Sequence, residues 1–127
     1  MLPYDTNDRA EAYSQGYAFA YPAAIASATA RHAGSVPADQ GCIRFNSEYI
    51  RMSAFKKAEN GTDVILRLFN TAEHTVSLTA ELPTDFQSAR LLNLVEEPIQ
   101  ALDPQNGQIK LDVPAKKILT IELIRPF

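Results

Sequence analysis

The sequence predicts a mainly β fold: an antiparallel β-sandwich of about seven strands, preceded by an N-terminal segment that is part helix and part extended chain. Three observations carry this expectation. Apolar and polar residues alternate over Val76–Leu82, Ile109–Val113 and Leu119–Leu123, the period of two of a strand with one buried face. Asn60-Gly61 and Asn106-Gly107 supply the residue pair that tight hairpin turns favour. Turn signals recur about every 8–12 residues, and no strand pattern alternates with a helical one, which disfavours a parallel sheet.

The elements follow in chain order. Two parts are expected: a connecting segment over residues 1–41, rich in Ala, Tyr, Ser and Gly, and a sandwich domain over 42–127. In the first part, Asn7 or Asp8 can cap a short helix through Arg9–Tyr13, which Gly16 would weaken. Tyr17, Phe19 and Tyr21 alternate with alanines and suit an extended stretch ending at Pro22. Residues 23–33 are compatible with helix without demanding it, and Gly34–Ala38 reads as a loop.

From Cys42 onward the strand signals are stronger. Tyr49–Glu59 and Asp63–Asn70 form an expected hairpin around Asn60-Gly61-Thr62. The strand through Val76, Leu78, Ala80 and Leu82 ends before Pro83. Ser88–Val95 is more apolar, and a central place is expected for it. Pro104–Gly107 is a second turn before the strands around Ile109–Val113 and Leu119–Leu123.

Composition excludes several functions. The chain has 127 residues, 46% hydrophobic and 21% charged, with a formal net charge of −3. A single core is expected, since domains of about this size bury roughly two-thirds of their unfolded surface. Lys and Arg are scattered, so no basic stripe points to nucleic acid. Cys42 is the only cysteine, which leaves no intramolecular disulfide and no CxxC site. No apolar run approaches the ~20 residues of a membrane span. The first residues lack a signal-peptide pattern. A cytoplasmic location is the expectation, with no membrane partner.

Candidate chemistry is sparse. Glu96 and Glu97 are adjacent carboxylates, but a glycosidase needs two carboxyl groups facing one cavity about 5–9.5 Å apart. Neighbours on a strand point to opposite faces, so a solvated strand end before Pro98 is the stronger reading. His32 lies near Asp39 and Cys42 without metal-ligand spacing, and His74, beside Glu73, is expected to be exposed. No Gly-x-Ser-x-Gly elbow and no phosphate-cradling glycine loop occurs. Asn60-Gly61-Thr62 formally matches a glycosylation acceptor, which the turn already accounts for. Tyr17, Phe19 and Tyr21 suit packing on a neighbouring sheet better than sugar stacking. Arg67, between Leu66 and Leu68, either snorkels from a partly wet face or is paired beneath a loop or an interdomain surface. No catalytic, cofactor-binding or metal-binding residue is therefore assigned.

These residues also resemble a known family. Ser53–Gly61, followed by Val64-Ile65-Leu66-Arg67-Leu68-Phe69-Asn70, is similar to a signature in the C-terminal β-domains of glycoside hydrolase family 38 α-mannosidases. His32–Pro37, Leu92–Pro98 and Ile109–Leu123 fit the same pattern, with Lys116 and Lys117 where the family carries a glutamate. The resemblance covers roughly residues 30–124. It implies a non-catalytic scaffold and interdomain-packing domain of a bacterial α-mannosidase, a retaining enzyme. The family's zinc and catalytic carboxylates then belong to a catalytic domain of the same polypeptide, with mannoside substrate near the shared surface. The Ala-rich, aromatic segment before Cys42 is the expected contact. The alternative is a free-standing carbohydrate-binding β-sandwich, which the lack of tryptophan disfavours.

Overall fold

A computed structural model describes residues 9–21, 43–59, 61–83 and 86–125. The chain divides into two compact units, Met1–Gly41 and Cys42–Phe127. In the first, a helix α1 spans Arg9–Ala20. It continues through Gly16, so the stretch expected to be extended from Tyr17 is helical as far as Ala20. Alanine is the strongest helix former, and one interior glycine costs only about 1 kcal/mol. Residues four apart also meet on the helix surface. Gln15 Nε2 donates to Glu11 Oε1 at 2.7 Å, and the rings of Tyr17 and Tyr21 lie 5.6 Å apart. Tyr13, Tyr17, Phe19 and Tyr21 are all exposed. The cap at Asn7 or Asp8, the undecided stretch 23–33, the loop Gly34–Ala38, His32, Asp39 and Cys42 lie outside the described residues.

Among its described residues the second unit holds eight strands: β1 (Arg44–Phe45), β2 (Ile50–Lys57), β3 (Val64–Asn70), β4 (Val76–Glu81), β5 (Ser88–Leu92), β6 (Pro98–Leu102), β7 (Gln108–Val113) and β8 (Ile118–Ile124). They form two antiparallel sheets, ordered β1-β4-β7 and β2-β3-β8-β5-β6. Leu66, Leu68, Ile121 and Leu123 from the larger sheet meet Val76, Leu78, Ala80, Ile109 and Val113 from the smaller one in a single core. The alternation at 76–82 and 109–113 therefore marks the inner face of the small sheet. Burying each such side chain stabilises the fold by roughly 1.5–3 kcal/mol. β5 does occupy an interior place in its sheet, although it stops at Leu92 rather than Val95.

The two Asn-Gly pairs differ. Asn106 and Gly107 have φ of 52° and 74°. Gln105 and Gln108 exchange backbone hydrogen bonds of 2.9 and 3.0 Å on either side. This is a two-residue turn with both central residues left-handed, where asparagine and glycine strain least. Gly61 takes no positive φ. The β2–β3 connection is a wider loop over residues 59–62, closed by the Ala58 N–H donating to the Asp63 carbonyl at 2.9 Å. A longer hairpin loop has no need of left-handed centres. The three-residue turn expected there is thus replaced, and Asn60 itself lies outside the described residues.

Candidate functional site

β3 has two faces. Leu66 and Leu68 enter the main core, while Ile65, Arg67 and Phe69 point to the opposite side of the five-stranded sheet. On that side Arg67 stands opposite Thr120 of β8 and Ala54 of β2. Its Nε donates to Thr120 Oγ1 at 3.2 Å, and its Nη2 to the Leu94 carbonyl at 3.4 Å. Of the two readings for Arg67, the structure gives pairing beneath a loop. Next to it, Arg90 of β5 is ion-paired with Glu122 of β8. Ile65, Ala58 and Leu92 form a small buried cluster on the same side.

The loop over this face is built by one asparagine. Asn93 Oδ1 accepts the N–H groups of Val95 at 3.0 Å and Glu97 at 2.9 Å, and Asn93 Nδ2 donates to Glu97 Oε2 at 2.8 Å. Asparagine side chains hold tight turns in this way. Glu96 closes the turn with φ of 65°, a conformation that costs a non-glycine residue of order 1 kcal/mol. Its carboxylate accepts Lys56 Nζ at 2.7 Å and the Glu59 N–H at 3.1 Å. Lys56 also reaches Glu59 Oε1 at 3.2 Å. Three strands are joined by these contacts: β2 through Lys56, β3 through Arg67, and β5 through the loop itself.

The expectation of a solvated strand end holds for Glu97, which is exposed, and fails for Glu96, whose side chain is only 10% exposed. The strand ends three residues earlier than expected, and the left-handed backbone turns Glu96 back onto β2. The Lys56 ammonium, and after it the Glu59 N–H, hold the Glu96 carboxyl below the usual carboxylate range. Glu96, and after it Glu59, raise Lys56 above the usual lysine value.

The sign for stability follows from those directions. A depressed Glu96 contributes stability above the ordinary glutamate pKa of about 4.3, and loses it as pH falls through the lower folded value. A raised Lys56 contributes below the ordinary lysine pKa of about 10.4, and loses it as pH climbs through the higher folded value. Urea midpoints measured from pH 7 to pH 3 are expected to fall less for Glu96→Gln than for the unsubstituted chain. Parallel curves would show that Glu96 carries no titrating stabilisation.

The remaining candidates do not converge on a reaction. His74 is exposed, its ring edge-on to Tyr49 at 5.5 Å, and its carbonyl accepts from Asn70 Nδ2 at 2.9 Å. Lys116, where the family glutamate was expected, sits left-handed in the β7–β8 turn with φ of 56°. Its Nζ pairs with Glu73 at 3.1 Å and donates to the Thr71 carbonyl at 2.6 Å. A shallow groove beside β1 is lined by Arg44, Phe45, Asn46, Thr79 and Glu81. Asn46 there is occupied in structure, accepting the Thr79 N–H at 2.7 Å. Among the described residues no three His, Cys, Asp or Glu side chains come together as a metal ion requires. The zinc that the family resemblance implies thus has no fitting ligand set among them. No described helix is long and apolar enough to cross a membrane.

The side chains that organise this region, Asn70, Asn93 and the Lys56–Glu96 pair, escaped the sequence reading. The only signal available was an asparagine directly after an apolar strand, at Asn70 and again at Asn93. Among known families, the model of the Glycosyl hydrolases family 38 C-terminal beta sandwich domain matches residues 49–121. No curated protein sequence matches the chain.

Proposed function

Because this chain belongs to the glycoside hydrolase family 38 C-terminal β-sandwich family, we propose that it is the non-catalytic scaffold domain of a bacterial α-mannosidase. The matched residues run from the start of β2 into β8, so they contain the whole Arg67–Glu96 region and most of the core. Membership in a C-terminal domain family implies a catalytic domain in the same polypeptide. That domain would supply zinc, the nucleophile and the acid–base group, and hydrolyse α-mannosides with retention. The observation that carries the scaffold role is how the charged groups here are used. Arg67, Arg90, Lys56, Glu96 and Glu122 are spent on one another, on Thr120 or on backbone groups. Such an arrangement stiffens a sheet and leaves little for chemistry.

The exposed rings of Tyr13, Tyr17, Phe19 and Tyr21 on α1 support the N-terminal segment as one contact with the catalytic domain, near which a mannoside would bind. A cytoplasmic location belongs to the same proposal, with Cys42, the single cysteine of these 127 residues, as a reduced thiol.

The test is hydrolysis of 4-nitrophenyl α-D-mannoside by the full polypeptide and by the 127-residue chain, each with zinc and with chelator. Zinc-dependent activity is expected from the full polypeptide alone. Cleavage by the 127-residue chain overturns the proposal.

A further inference from the structure

The loop between β5 and β6 combines two properties that rarely coincide by chance. Its frame is fixed at three points: internally by Asn93, to β2 by Glu96, and to β3 through the Leu94 carbonyl. Its tip is apolar and exposed. Leu94 is 62% and Val95 72% exposed, and Ile99, just beyond on the edge strand β6, is 62% exposed. An exposed loop tip is ordinarily small and polar. A rigid frame under an apolar tip loses little conformational freedom on docking, which is what a contact surface requires.

We infer that Leu94, Val95 and Ile99 form a docking knob that inserts into an apolar recess of the catalytic domain carried by the same polypeptide. This rests on the domain assignment proposed above and adds the residues that make the contact. The patch itself points to a tethered occupant. Three side chains of this size offer on the order of 300 Å², within the range of single functional patches on monomers. A free partner or a second copy needs roughly 800 Å² on each side for a stable complex. A domain on the same chain already faces its neighbour at an effective concentration near the millimolar range, so a small contact suffices. The strained backbone at Glu96 fits this role, since Glu96 is the residue that fixes the loop relative to β2.

The experiment places Leu94→Ser and Val95→Ser together in the full polypeptide and, in parallel, in the 127-residue chain. Both side chains are exposed, so the melting temperature of the 127-residue chain is expected to stay within about 2 °C. In the full polypeptide, the amides of residues 93–97 and 99 are expected to be more protected from hydrogen exchange than in the 127-residue chain, where the loop holds only its own hydrogen bonds. The double variant is expected to lose at least tenfold of that protection and to release the sandwich faster on limited proteolysis.

Loop amides no better protected in the unsubstituted full polypeptide than in the 127-residue chain overturn the inference. Unchanged proteolysis of the double variant does the same. A dimer of the 127-residue chain that the double variant abolishes also overturns it, by assigning the knob to a second copy. Mannosidase activity of the unsubstituted full polypeptide is read separately. Its absence with the knob protected defeats the proposed function alone, and its presence with the knob unprotected defeats this inference alone.

Discussion

Replacing Asn70 with alanine is expected to cost the sandwich about 4 kcal/mol, a large share of the roughly 5–10 kcal/mol that holds a unit of this size together. Asn70 ends β3 and is fully buried. Its Nδ2 donates toward the carbonyls of His74 and Val113 at 2.9 Å and of Pro114 at 3.0 Å. Its Oδ1 accepts the Ala72 N–H at 2.8 Å. One amide thus binds the end of a strand in the large sheet, the loop that leaves it, and the exit of β7 in the small sheet. Alanine removes every partner at once, and each buried group left unpaired costs about 1–3 kcal/mol.

Asn70→Asp sharpens the test. An ionised carboxylate there faces carbonyl oxygens, so this variant is expected to be no more stable than alanine at pH 7. It should recover part of the loss when acid protonates it and restores a donor. Urea unfolding followed by circular dichroism measures both. A loss below about 1 kcal/mol for Asn70→Ala would mean that water replaces the amide and that Asn70 is not the joint described here.

Leu66→Ala is expected to cost about 3 kcal/mol, lowering the melting temperature by roughly 15 °C. Leu66 is fully buried, with Phe55 beside it on β2 and Ile121 on β8, and it faces the small sheet across the core. Truncation removes transfer energy and leaves a cavity that two hydrogen-bonded neighbouring strands cannot close. Leu66→Met, which nearly conserves volume, is expected to cost under about 1.5 kcal/mol. Similar melting temperatures for the alanine and methionine variants would refute the packing account. Arg67, one residue along, points to the other face.

Much of this arrangement was legible from period alone. Val76, Leu78 and Ala80, and likewise Ile109 and Val113, announce their buried face because the opposite face of the small sheet is wet. β8 was legible through Leu119, Ile121 and Leu123, although Thr120 and Glu122 are buried as well. β6 was not, because Pro98–Leu102 is exposed along most of its length and shows no alternation. Nor was the helix through Tyr17 and Phe19, where rings at a spacing of two mimic a strand while the alanines between them favour a helix. Asn60-Gly61 did mark the β2–β3 hairpin, but the dipeptide permits a left-handed turn without dictating loop length, so the wider closure was not legible.

For the candidate site, Arg67 was legible as a cation between leucines. Its partners were not: Thr120 lies 53 residues away and Leu94 27 residues away. Glu96 was misplaced for the same reason, since Lys56 is brought to it only by the pairing of β2, β3, β8 and β5. Long-range register places these groups, and local pattern does not encode it.

The position of β8 has a consequence for how the domain is made. Ile118–Ile124 is the last of the described strands, yet it lies between β3 and β5 and bonds to both. During synthesis the earlier strands leave the ribosome with that slot empty, exposing two unsatisfied strand edges and the apolar surface around Leu66 and Leu68. A chain halted before Ile118 is therefore expected to give a sticky intermediate rather than a smaller folded protein.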